Sequence, residues 1–241
     1  MEKVEKFQVI ISCVIVTFGI LISSLIFANK ISKNENITVT GSASKIVKSD
    51  SAKLGFSIRT RKINQKESFS YLKSQTPNVI KYLEEKGIKK EDIDVKSMNG
   101  YNVYRQNNNG YSTNEIIAYD ASQHIEIKSS DVLKIKEIST DIQSLIDKGI
   151  NIEVYSPEYF YSDLASIKID LLKEASLDAK QRAKSMLEAT NAHVGKVSSM
   201  RMGVFQITPA DSTMVSDMGI NDTSSIDKKV TAVANVVFKV K

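Results

Sequence analysis

One cysteine, Cys13, stands in 241 residues, so no intramolecular disulfide and no cysteine-based metal cluster can form. A core of this size holds together without such staples, so the lack of disulfides leaves an exported location open. Histidine is nearly as scarce, with only His124 and His193. A zinc site would need both of them and a carboxylate gathered from distant positions, and surface or boundary places are the expectation for each. Ten glycines form no phosphate-binding loop, and there is neither a G-x-S-x-G elbow nor a Ser–His–Asp order. No catalytic residue, cofactor or metal is therefore expected. A hydrolase ranks last among the readings, kept only because triads are defined by geometry and not by order.

Charge of one sign is also missing in bulk. The net charge is +5, but Lys3, Lys6 and Lys30 flank an apolar segment and acids and bases interleave elsewhere. That is a solvated surface with a weak basic bias, not a nucleic-acid footprint. Hydrophobic content of 41% and charged content of 25% are those of a globular protein.

Charge is absent altogether from Val9 to Phe27, nineteen residues that at 1.5 Å each come close to the hydrocarbon thickness of about 30 Å. A cleaved signal peptide has a shorter apolar region and an A-x-A-like end. Here Ala28 has Ile26 two positions before it, which favours an uncleaved anchor. Ile10-Ile11-Ser12-Cys13 resembles a lipoprotein box, but the apolar stretch before it is too short, and a membrane-buried cysteine is the better reading. The organisation is then a tail over 1–8, a transmembrane anchor over 9–28, a linker over 29–35 and one domain over 36–241.

Within that domain, Ile37, Val39 and Gly41 alternate with threonines as a strand bounded by Gly41-Ser42. Asp50 to Arg61 is a second strand with Ala52, Leu54, Phe56 and Ile58 on one face. Asn64 and Glu67 form a capping pair for a helix that Gly87 ends, with a kink or break expected at Pro77. Strands over Ile93–Arg105 and Asn114–Lys128 follow, joined by the turn signal Gln106-Asn-Asn-Asn-Gly110. Ser129 or Ser130 caps a helix through Val132, Ile135, Ile138, Ile142 and Leu145, which Gly149 closes before a strand at Ile152 and Val154.

The fold class is α+β. An antiparallel sheet with a split βαβ, ferredoxin-like portion fits the strand–helix–strand–strand–helix–strand order. A long helix from Asp163 to about Asn191 carries Ala175, Ala179 and Ala183 as a smooth strip, which allows close approach of a sheet or another helix. Val197 to Ile207 reads as one strand and Thr208 to Lys229 as a polar loop. Val230 to Val240 alternates strictly and is expected to pair with the first strand.

The ordered series Ile37-Thr-Val-Thr-Gly41, Asp50-x-Ala52, Gly87-Ile88 with Asp92-Ile-Asp, and Tyr119-x-Ala-x-Gln123 resembles the SIMPL-domain family. So do Ser156-Pro-Glu-Tyr-Phe-Tyr-Ser-Asp-Leu164, Glu174-Ala, Asp178-Ala-x-x-Arg182-Ala, Met202-Gly-Val-Phe-Gln-Ile207 and Gly219-Ile-Asn-Asp-Thr-Ser-Ser225. The resemblance implies an α+β fold, residence in the bacterial envelope, a part in envelope stress defence and a tendency to self-associate. It supplies no catalytic residues. It also places the domain outside the cell membrane, against Lys30, Lys33 and Lys45, which by the positive-inside rule lean towards a cytoplasmic domain.

The leading reading is a single-pass, extracytoplasmic protein that works by homo-oligomeric assembly or binding. The alternative is an envelope ligand-binding protein for a peptide or glycan, or for an envelope protein. Its surface would use Tyr155, Tyr159, Phe160 and Tyr161 with the 208–229 loop. Asp217, Asn221, Asp222 and Asp227 near Gly219 suggest a calcium loop. However, the third and twelfth positions from Asp217 are Gly219 and Lys228, so a structural polar loop fits better. Val237, on the second face of the last strand, is a candidate interface position. Protease added to intact protoplasts is expected to digest the domain; full protection would show that it lies inside.

Overall fold

The computed structural model describes residues 14–25 and 35–241. A first helix, α1, covers residues 14–25. Within it Thr17 and Ser24 hydroxyls donate back to the carbonyls of Val14 and Leu21, which is how an apolar helix tolerates them. Among the described residues no helix is long and apolar enough to cross a membrane. The rest of the expected anchor, residues 9–13 with Cys13 and residues 26–28, lies outside the described residues, as do the tail and linker positions 29–34.

Two compact units follow from the contacts: residues 44–168 with 205–230, and the described residues up to 43 with 169–204 and 231–241. The expectation of one sheet is corrected, because the strands form two.

In the larger unit, β2 (Ser51–Lys62), β3 (Ile93–Gln106), β4 (Ser112–Ser129) and β5 (Ile152–Val154) form a sheet in the order β3-β4-β2-β5. All its pairs are antiparallel, which is the split βαβ arrangement. The helices α2 (Gln65–Glu85) and α3 (Val132–Asp141) lie between the strands in sequence. Leu54, Phe56, Ile58, Ile125 and Ile127 are fully buried with Leu72, Leu83, Ile135 and Ile138 in one core. Strict alternation along β2 and β4 puts these side chains on one face and polar ones on the other.

Local chemistry sets the element ends. The Asn64 side chain accepts from the Glu67 backbone N–H and donates to its carboxylate. Gly87, at φ +81, and Ile88 close α2 with N–H bonds to the Glu84 and Leu83 carbonyls. No break occurs at Pro77; α2 is one helix through it, and Pro77 and Lys73, four residues before it, are both exposed. The cap of α3 is Asp131 and not Ser129 or Ser130: its carboxylate accepts from Lys134 N–H, while the Ser129 hydroxyl accepts from Asp131 N–H.

In the smaller unit, Gly41 is no strand end. β1 runs from Asn36 to Lys48, and a Cβ at Gly41 would lie 2.2 Å from the Ala175 carbonyl and 2.3 Å from the Ala179 nitrogen. Glycine is there so that α4 (Leu164–Glu188) can touch the strand. The Ala175, Ala179 and Ala183 strip is fully buried, so it meets this chain's own strand and is no open surface for a second copy. The Asp178 carboxylate accepts from Ser42 N–H, which fixes the contact.

The segment expected as one strand is two, β7 (Val194–Met202) and β8 (Gln206–Pro209), broken where Gly203 N–H bonds the Val233 carbonyl. The last strand, β10 (Asp227–Val240), lies between β1 and β8 in the order β1-β10-β8-β9, with β9 at Ile220–Asn221, and also pairs with β7. The expected pairing of first and last strands is therefore present. Replacing Gly41 by Val should destabilise the fold by about 3 kcal/mol, because both neighbours are backbone atoms that cannot turn aside. Urea denaturation measures it; an unchanged midpoint would show that the strand and helix are not in contact.

Candidate functional site

The face of the larger unit's sheet opposite its core carries the chemistry of that unit. β2 contributes Lys53, Gly55, Ser57, Arg59 and Arg61 there, and β4 contributes Asp120, Ser122, His124 and Glu126. Ser57 sits directly across from His124. The Ser57 hydroxyl is 3.2 Å from His124 Nδ1 and 3.3 Å from the Tyr155 hydroxyl. The His124 and Tyr155 rings stand 5.6 Å apart.

Both rings lie over Gly55, where a Cβ would come within 3.0 Å of His124 Cε1 and 3.3 Å of Tyr155 Cδ2. A serine beside a histidine has the spacing of an activated nucleophile. Here Ser57 is only 5% exposed beneath the rings, so its hydroxyl is not presented to a substrate.

A cleft of about 370 Å³ opens at this point, lined by His124, Tyr155, Lys53, Glu158, Thr223 and Ser224 among others. Lys53 Nζ bonds Glu126 at 2.8 Å, with Glu158 at 3.9 Å. The hydrogen bond with Lys53 holds the Glu126 carboxyl below its ordinary value, and the same bond raises the Lys53 ammonium. A second cleft, about 350 Å³, lies further along the same face over Arg59, Arg61, Asn99, Tyr101 and Asp120. Arg61 grips Asp120 with two bonds of 2.6 and 2.7 Å, and that grip lowers the Asp120 carboxyl. Arg59 lies 2.5 Å from Glu153, an ion pair without hydrogen-bond geometry.

The tyrosine block does not form one surface. It contains a strand, β6 (Glu158–Phe160), whose alternation buries Tyr159 opposite Ala52 and leaves Phe160 exposed. Tyr155 belongs to the cleft and Tyr161 is half-buried. The late loop does meet this block: Tyr159 N–H bonds the Thr223 carbonyl, and Thr223 and Ser224 wall the cleft.

Within that loop, β9 (Ile220–Asn221) pairs parallel with β8, so Asn221 is a strand residue and Asp217 is exposed before it. The Asp222 carboxylate accepts from Ser224 and Ser225 N–H and hydroxyl groups and from Lys228 Nζ. Burial alone pushes the Asp222 carboxyl up, but the bonds from Ser225 and Ser224 and the Lys228 charge outweigh it and hold it far below the usual range. Burial lowers the Lys228 ammonium, and Asp222 opposes that.

In the smaller unit, Val237 is half-buried opposite Ser199 of β7. His193 exchanges both backbone bonds with Lys241. The Ser57–His124–Tyr155 group was not singled out by the sequence, where its members are 67 and 98 positions apart.

A family model described as SIMPL, a protein of unknown function (DUF541), matches residues 37–238. The chain belongs to the SIMPL family. Nothing among the curated proteins matches it. Among solved structures, the chain is similar to one titled "De novo designed protein Foldit4", at 16% identity, over 43% of this chain and 93% of that one. The TM-score of 0.23 is too low to bear on the fold. The SIMPL domain thus spans the described strands from β1 nearly to the end of β10.

The Asp222 knot is the wall's fastening, and its removal is measurable. Asp222→Ala should cost about 3 kcal/mol, because Lys228, 3% exposed at its side chain, loses its carboxylate and keeps only the bond from Nζ to the backbone carbonyl of residue 222. Since the folded carboxyl lies below its unfolded value, its contribution is full above about pH 4 and fades as pH falls further. Denaturation of wild type and variant at pH 7 and pH 3 tests both parts. An equal difference at the two values would show that Asp222 is not the stabilising ion.

Proposed function

We propose that this SIMPL domain works by homo-oligomeric assembly at the outer face of a bacterial membrane, to which its N-terminal segment tethers it, and not by catalysis. The observation that carries the reading is a β-arm. The last pair between β2 and β4 is Lys62 with Tyr119, yet β3 and β4 continue pairing beyond it through Val103–Ala118, Tyr104–Ile116 and Gln106–Ser112. Residues 103–118 are therefore a two-stranded ribbon with no third strand among the described residues.

Such a ribbon is marginally stable alone in water. This one also exposes Tyr104, Tyr111, Ile116 and Ile117 at 43%, 71%, 52% and 46%. Its turn is nevertheless well specified. The Asn107 side chain accepts from the N–H groups of Asn109 and Tyr111, and Gly110 takes φ +81. A built turn at the end of an apolar, unsupported ribbon supports a role in contact with another molecule, and copies of the same chain are the nearest supply when all are tethered to one surface. The uncharged run Val9–Phe27 supports the tether.

Full-length protein in mild detergent should sediment as a multimer at tens of micromolar. The double variant Tyr111→Ser, Ile117→Lys should sediment as a monomer with an unchanged circular dichroism spectrum. A monomeric wild type overturns the reading, and so does a variant that stays assembled.

A further inference from the structure

The arm leaves the polar face of the sheet unused, and that face has its own chemistry. We infer that it binds a neutral oligosaccharide laid along β2, with the Tyr155 and Tyr101 rings as stacking platforms at its two ends. Gly55 under the first cleft and Arg59 beside the second are four positions apart on one strand, which separates the clefts by about 13 Å. That distance suits a short extended chain better than a single small molecule. Tyr155 is 43% exposed and Tyr101 68%, so each offers a ring to the apolar side of a pyranose.

The charges argue for a neutral ligand. Arg61 is held by Asp120, Arg59 by Glu153 and Lys53 by Glu126, so the clefts' charges are offset in pairs and offer a charged ligand little net attraction. Side chains that both donate and accept, Asn99, Ser122 and Asn151 in one cleft and Ser224 in the other, line the floor and wall. A polyhydroxylated molecule presents the matching mixture.

Position argues against an extended peptide. Peptides add to a sheet at an unpaired edge through main-chain bonds. The first cleft opens over β2 and β4 where both are paired on each side, and the second is lined by side chains on the sheet's face, so neither presents a free main-chain row at its floor.

The test uses full-length protein in detergent, titrated with chitotriose and with cellotriose. The chain has no tryptophan, so its fluorescence reports tyrosines, and calorimetry measures affinity alongside it. Saturable binding of either sugar is expected, weakened at least tenfold by Tyr155→Ala and by Tyr101→Ala. The arm variant Tyr111→Ser, Ile117→Lys should bind as wild type does, which keeps this result separate from the assembly result. Should either alanine variant misfold, the His124 ring proton signals of wild type are the second readout and should shift on adding the sugar. The inference is overturned if neither sugar binds at millimolar concentration, if both alanine variants bind normally, if the His124 signals stay unmoved at saturation, or if a Val-Ser repeat peptide binds in preference.

Discussion

The register of β2 against β4 is the constraint on which the larger unit rests. The pairs run without a shift from Ala52–Ser129 to Lys62–Tyr119. Because side chains alternate, this single alignment decides two things at once. It sends Leu54, Phe56, Ile58, Ile125 and Ile127 into the core under α2 and α3. It also places Ser57 opposite His124, with Arg61 against Asp120, on the far face. A slip of β2 by one residue would turn Lys53, Arg59 and Arg61 into an apolar interior, where unpaired charges cost several kcal/mol each. The core and the polar clefts are therefore two readouts of one register. β3 shows what happens where that constraint relaxes. Its pairing with β4 shifts between Val95 and Met98 and again past Val103, and there the ribbon outlives the sheet.

Much of this was legible in the sequence because one-dimensional periodicity carries it. The alternations in β2 and β10 predict the buried faces correctly, and Asn64, Glu67 and Gly87 mark the ends of α2 where the structure has them. Glycine and serine misled for physical reasons. Gly41 reads as a turn, since a strand gains little from glycine, until the backbone of α4 is found against it. Ser129, Ser130 and Asp131 all can cap a helix, and only the helix start chooses among them. β6 and the break at Gly203 are set by partners in other elements, which no local pattern records.

The clefts were half legible. Tyr155 and the late loop were both flagged, and the structure brings them to one cleft through Thr223 and Ser224. His124 read as a surface or boundary residue, and it is half-buried. Its company was invisible, because Ser57 and Tyr155 reach it only through strand pairing across long stretches of chain. The signal that could have found them is the polar half of each alternation, read across two strands instead of along one. Likewise the acidic residues of the loop invited a cation, whereas the structure satisfies Asp222 with Lys228 and two serines.

The central claim is that residues 103–118 owe their order to another copy of the chain, whereas β2 and its β4 partners owe theirs to the core. Amide hydrogen exchange on full-length protein, at a concentration that assembles it and at one that dissociates it, measures this residue by residue. The account predicts slow exchange over 52–62 and 119–127 at both concentrations. Exchange over 103–118 should be slow only in the assembled state and fast after dilution. Equal protection of the arm at both concentrations would contradict it.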